Sequence, residues 1–185
     1  MIPEPCVATI GFFDGVHMGH RYLIQQVKEI AAAKGLRSAL VTFPVHPRKV
    51  MNAAYHPELL TTPEEKTNLL AGTGVDYCLM LDFTPDISRL TAKEFMTQIL
   101  KERYQVKYLV IGYDHRFGHN RSEGFDDYVR YGQAIGIEVI RAQAYTDDIQ
   151  IDTIQSAPVS SSLIRKLLHQ GDVDAAARCL GYEYF

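Results

Sequence analysis

IGFFDGVHMGHRYLI, residues 10–24, leaves an apolar run at Ile10 and crosses glycines at Gly11, Gly15 and Gly19. It resumes an apolar pattern at helical spacing around His17 and His20. The run before it, CVATI at 6–10, reads as a buried strand, and the pattern after it reads as a helix over 19–34. Glycines between a strand and a helix let backbone amides approach a ligand closely. The helix start offers unpaired N–H groups and a partial positive charge, which suits an anion such as a phosphate. His17 and His20 lie three apart and share one face of the first turn. Imidazole donors there suit charge building up on a phosphoryl group in flight. Zinc-binding helices more often space histidines four apart and add an acidic ligand, so a metal pair fits less well, and two plain surface histidines are the bland alternative. The stretch is neither a G-x-G-x-x-G fingerprint nor a phosphate loop with its lysine.

Outward from this stretch, further β-rich runs follow at 38–43, 77–82, 108–112 and 137–142, each read as apolar on both faces. Helical patterns at 63–72, 91–104 and 124–135 separate them. Thr62 with Glu65, and Thr91 with Glu94, have capping-box spacing. Gly35 and Gly136 mark helix ends. The β-α-β-α order predicts an α/β fold: a Rossmann-like, doubly wound, parallel five-stranded sheet with helices on both faces. Residues 160–180 read as a C-terminal helical segment of two short helices. The connections 43–62, 113–123 and 143–159 are long for a compact domain, and long loops in such folds tend to carry function.

The 185 residues suit one domain with a real core, 1–185. A net charge of −3 argues against a general nucleic-acid binder but not against a small anionic ligand. No run approaches the roughly 20 apolar residues of a membrane span. The first residues lack the pattern of a signal peptide. Cys6, Cys78 and Cys179 are scattered in apolar contexts, which reads as buried reduced thiols in a cytoplasmic setting.

Three more constellations follow strand ends or open a helix. VTFPVHPRKV (41–50) is a stiff loop holding Phe43, Pro44, His46 and Pro47. IGYDHRFGHNRSEG (111–124) packs Asp114, Phe117, Asn120 and Arg121 among further donors, and arginine forks match phosphate. PVSSSLIRKLL (158–168) sets Ser160, Ser161 and Ser162 before a helix, with Arg165 a turn in: a second phosphate-ready helix start. Read alone, each also suits a blander role: a proline-punctuated connector, a solvated loop, or a plain helix cap.

Together with LLTTPEEKTNLLAGTGVDY, LTAKEFMTQIL and GDVDAAARCLGYEY, these blocks resemble, in order and over nearly the whole chain, the FAD synthetase (FMN adenylyltransferase) module of bacterial bifunctional riboflavin kinase/FAD synthetases. That family carries the His-x-Gly-His signature of the nucleotidyltransferase superfamily. Phe12 stands where asparagine is common in it. The resemblance implies that ATP and FMN give FAD and pyrophosphate. It implies that Gly11, Phe12, Phe13, Asp14, Gly15, His17, His20, Ser160, Ser161, Ser162 and Arg165 hold ATP. It implies that Phe43, Pro44, His46, Pro47, Asp114, Phe117, Asn120 and Arg121 face FMN, and that His17, His20, Asn120 and Arg165 serve the reaction. Mg²⁺ is expected to come with the triphosphate, held mostly by phosphate and water, with Asp14 a conceivable outer-shell partner and no dedicated protein ligand. Nucleic acid and membrane are not expected as partners. The family's riboflavin kinase domain is absent from this chain, to which it is natively fused by expectation, so FAD is expected from FMN but not from riboflavin. Rival readings are adenylyl transfer to another acceptor, such as phosphopantetheine or nicotinamide mononucleotide, and a non-catalytic nucleotide-sensing module.

Overall fold

The computed structural model describes residues 4–52, 54, 58–112, 115, 117–118, 122–145, 149–150 and 156–184. In chain order the elements are β1 (Cys6–Ile10), α1 (Met18–Lys34), β2 (Arg37–Thr42), α2 (Pro47–Met51), α3 (Pro63–Ala71), β3 (Tyr77–Met80), α4 (Pro85–Ser88) and α5 (Ala92–Phe95). A π-helical stretch, Met96–Arg103, continues α5. Then come β4 (Val106–Ile111), α6 (Phe125–Ile135), β5 (Glu138–Arg141), a two-stranded antiparallel ribbon of β6 (Ile149–Gln150) and β7 (Ser156–Ala157), α7 (Ser161–His169) and α8 (Val173–Leu180).

β1 to β5 form one parallel sheet in the order β3-β2-β1-β4-β5. Period-two alternation sorts its side chains. Ala8, Ile10, Ala39, Val41, Leu109 and Ile111 pack under Phe95, Leu100 and Tyr128 of the α5–π and α6 layer. Val7 and Val110 face Val27 and Ala31 of α1, and Leu40 faces Ile24 of α1 and Leu70 of α3. Each fully buried valine, leucine, isoleucine or phenylalanine among them contributes about 1.5–3 kcal/mol. The expected doubly wound sheet with helices on both faces is therefore the observed one.

Helix boundaries follow the expected chemistry. Thr62 and Thr91 close capping boxes with Glu65 and Glu94, and Gly35 and Gly136 end α1 and α6 in the left-handed conformation. Several expectations need correction. β3 and β5 are the edge strands: β3 is apolar but not buried on both faces, with Met80 exposed, β5 exposes Glu138 and Arg141 and so is not apolar on both faces, and Cys78 is only half-buried, unlike Cys6 and Cys179. The helix expected over 91–104 is α-helical only at its start. The connections 43–62 and 143–159 contain α2 and the β6–β7 ribbon, and α4 was not anticipated.

The strand order reverses at β1. From there the chain moves out to β2 and β3, then returns to place β4 on the other side. The loops leaving β1 and β4 splay apart at their carboxyl ends, which is where a doubly wound sheet binds its ligand. α7 and α8 cap this end. Their cluster of Ile164, Leu167, Ala176, Cys179 and Leu180 closes on Leu60, beside the first loop.

Candidate active site

The His-x-Gly-His stretch folds into a helix cap made of imidazoles. His17 is the N-cap of α1, and its Nδ1 accepts the His20 N–H at 3.2 Å. His20 Nδ1 in turn accepts the His17 N–H at 3.3 Å. The two rings stack with centroids 3.6 Å apart. Gly19 leaves room for this stack, because a Cβ there would lie 3.0 Å from His17 Cε1 and press on the ring. Since each Nδ1 receives a backbone N–H, the proton of each neutral ring sits on Nε2, leaving Nε2–H as the donor each offers.

Both rings are held neutral. Burial pushes His17, 7% exposed, down to about 4, with Asp14 opposing. His20, whose edge still reaches the cavity, is held well below its ordinary value by burial first, then by His17 and Lys66. The pair therefore acts through hydrogen bonds rather than net charge, whereas an unperturbed imidazole would titrate near 6.5. A consequence for stability follows. Below about pH 6.5 the unfolded chain binds protons that the unliganded fold refuses, so the histidine contribution to stability falls from about 6.5 toward 4 and is flat above 6.5. For His17 alone the loss is about 3 kcal/mol. Thermal melts from pH 8 to 4 check this: His17→Ala should show a shallower decline, and equal declines in parent and variant would contradict it.

The loop before the histidines is strained and pinned. Phe13 and Val16 take positive φ of 58° and 42°, costly for non-glycine residues and for β-branched valine most of all. Gly15, at φ 82°, packs where a Cβ would meet Leu60 at 2.8 Å. The Asp14 carboxylate, 5% exposed, accepts the N–H groups of Leu60 (2.9 Å) and Thr61 (3.2 Å). Arg165 Nη2 donates to it at 2.6 Å. The Thr61 hydroxyl accepts the Gly15 N–H, the Ser161 hydroxyl donates to the Asp14 carbonyl, and the Tyr182 phenol donates to the Gly15 carbonyl. Segment 58–62, α7 and the chain after α8 thus hold the loop shut.

Two adjoining cavities open at this end of the sheet. The first, about 560 Å³, is lined by Gly11, Phe12, Phe13, Asp14, His17, His20, Ser161 and Arg165 on one side. Ala142 to Tyr145, Pro158 and Val159 line its far side. Gln26 and Gln143 exchange hydrogen bonds that dock this far wall on α1. The second, about 350 Å³, is lined by Phe43, Pro47, Arg48, Phe83, Ile87, Phe95 and Phe117. Ile10, Phe12, His46 and His115 belong to both, so the cavities meet there. Phe117 is fixed by Tyr128, whose ring stacks on it at 4.3 Å. The Tyr128 phenol accepts the Phe117 N–H and donates to the Glu123 carbonyl.

The structure thus brings most of the sequence-predicted residues to one place, with distinctions among them. Ser160 is committed as the N-cap of α7, Ser162 is exposed, and Ser161 alone of the three lines the cavity. Gly15 and Pro44 line neither cavity. Arg165 lines the nucleotide-sized cavity, but its Nε is bonded to the Glu58 carbonyl and its Nη2 to Asp14. Asp114, Asn120 and Arg121 lie outside the described residues. Sequence reasoning missed Lys66, buried below the loops, and Tyr182. Lys66 had a signal: it sits one turn before Leu70 on the apolar face of α3, where a lysine is out of pattern.

A family model for FAD synthetase matches residues 1–158. The bifunctional riboflavin kinase/FMN adenylyltransferase of Listeria monocytogenes is 34% identical over 179 residues, covering 96% of this chain and 54% of that protein. The protein of the same name from Escherichia coli K12 is 32% identical over 181 residues, covering 98% of this chain and 56% of its own length.

The chain belongs to the FAD synthetase family.

It spans about half the length of the curated relatives it matches. A crystal structure of a macrolide-efflux protein from Streptococcus pneumoniae has the same fold, with a TM-score of 0.81 and 28% identity, covering 100% of this chain and 67% of that one. Its efflux label is not carried over to this FAD synthetase family member. Among the described residues no helix is long and apolar enough to cross a membrane.

Proposed function

We propose that this chain transfers the adenylyl group of ATP to FMN, giving FAD and pyrophosphate. The observation that carries the reading is the meeting of two cavities at Ile10, Phe12, His46 and His115, with the imidazole cap lining the first of them. One is lined by the start of α1 and by His17 and His20, which offer a helix N-terminus and two Nε2–H donors suited to a triphosphate. The other is walled by aromatic rings with Arg48 and His46 at its edge, which suits a flat flavin bearing a phosphate.

In this reading an FMN phosphate oxygen attacks the α-phosphorus in line. The new bond is oxygen to α-phosphorus. The bond broken joins that phosphorus to the bridge oxygen, and pyrophosphate leaves with the electron pair. No side-chain nucleophile is needed, so the protein's part is positioning and stabilisation of spreading charge. The two Nε2–H groups donate to phosphate oxygens as charge grows on them. Mg²⁺ enters as the counter-ion of ATP and is part of the substrate. The Asp14 carboxylate is already engaged by backbone N–H groups and Arg165, so in this proposal Mg²⁺ would be held mostly by phosphate and water. A cytoplasmic setting and a riboflavin kinase domain in the same protein, as in the names of the relatives, are parts of the proposal.

The test presents the chain with MgATP and, separately, FMN, phosphopantetheine or nicotinamide mononucleotide, and measures pyrophosphate. Release with FMN far above the others is the expected result. Release with another acceptor instead would replace FMN in the proposal, and ATP binding without any release would favour a nucleotide sensor.

A further inference from the structure

Lys66 is 2% exposed, yet it carries an ammonium group beneath the point where the two cavities meet. Its Nζ donates to the Phe12 carbonyl at 3.0 Å and to the Phe43 carbonyl at 2.8 Å. Phe12 belongs to the loop leaving β1 and Phe43 to the loop leaving β2. The same Nζ lies 3.7 Å from the centroid of the Phe12 ring, whose other neighbours include His46 at 4.8 Å. Thr42 Oγ1 also donates to the Phe12 carbonyl, at 3.1 Å. One buried cation therefore fixes two carbonyls and one ring.

The position of that ring matters. Phe12 lines both cavities, whereas Phe43 lines only the aromatic one. Burying a lysine costs several kcal/mol unless its charge is compensated. Burial holds its pKa down to about 8, while Asp14 and the Cys78 thiol pull it up, so the ammonium stays charged at neutral pH. An apolar side chain would fill the space beneath the loops at less cost, so the retained charge calls for a role.

We infer that Lys66 is a positioning residue: it sets the register between the two loops, and so the alignment of the two substrates, without touching either. This rests on the adenylyl-transfer reading above. Each loop can hold its own ligand, but in-line attack needs both ligands aligned, and a misplacement of about 1 Å can cost roughly 100-fold in rate. Loss of Lys66 therefore separates turnover from binding.

The test is Lys66→Met, which keeps length and removes the donor. Turnover of MgATP with FMN should fall roughly 10- to 100-fold. Dissociation constants for ATP alone and for FMN alone, by calorimetry, should stay within about threefold of the parent, the signature of lost alignment rather than lost contact. A purely structural role predicts a lower melting temperature with turnover kept at temperatures where the variant is folded. Unchanged turnover, or affinity lost in step with turnover, overturns the inference. If Lys66→Met does not fold, Thr42→Val, which removes the other side-chain donor to the Phe12 carbonyl, carries the test. A severalfold fall in turnover with both affinities kept supports the inference, and unchanged turnover overturns it. A parent with no turnover overturns the adenylyl-transfer reading and this inference together. A parent that turns over beside an unaffected variant overturns the inference alone.

Discussion

Replacing His20 with alanine lowers turnover by roughly 100- to 1,000-fold, the cost typical of losing one well-placed donor to charge that develops in the transition state. ATP binding changes little, because the helix N-terminus and His17 remain. Two effects of the substitution separate cleanly. The His17 N–H loses its acceptor, which costs about 1 kcal/mol of cap stability. The Nε2–H, the donor left on a ring that lines the cavity, is lost as well, and the rate falls with it. His20→Asn is informative beside it, since an amide restores a cap acceptor without placing a donor where Nε2 stood. Recovered melting temperature with unrecovered turnover is the expected pattern. A variant with normal turnover and only a raised Michaelis constant would assign His20 to ground-state binding.

Asp14→Ala produces the largest loss of stability. The carboxylate is buried and gathers two backbone N–H groups, a hydroxyl and a guanidinium. Removing one partner from a buried ion pair typically costs about 3–5 kcal/mol. Arg165 is only partly buried, so the lower end, about 3 kcal/mol, is expected. The loss is local as well as global. The positive φ angles of Phe13 and Val16 persist only while the surroundings over-determine them, and Asp14 is the main pin. Denaturant titration should show a lower midpoint, and ATP binding should weaken because the loop relaxes. Asp14→Asn should fare better, as its oxygen can still accept from Leu60 and Thr61. A midpoint unchanged in Asp14→Ala would refute the pin.

The sheet was legible because its cores are written in period two and its helices in period 3.6, with caps between. β1 was read to the residue, and the other strands to within a few residues. The π-helical turn of 96–103 was not legible, since its apolar spacing overlaps that of an α-helix. β3 was read as buried because its residues are apolar, but edge position is decided by strand order, which periodicity does not encode. At the candidate site, His17 and His20 were legible from glycine spacing, yet their mode of action was not. That depends on Nδ1 being consumed by the cap and on burial, both tertiary facts. Arg165 shows the same limit: the sequence places a cation near a helix start, and only the fold shows Asp14 and Glu58 already holding two of its nitrogens. Lys66 is the converse. Its role comes from two carbonyls on distant loops, and a lysine in a helical pattern does not announce them.

The most direct measurement of the central claim follows the fate of ATP phosphorus. The chain is given FMN and Mg²⁺ with ATP labelled in turn at the α and γ positions, and the products are separated by chromatography. Adenylyl transfer puts the α label in FAD and the γ label in pyrophosphate, in equal amounts. Label appearing in ADP and inorganic phosphate, or no label entering a flavin product, would contradict it.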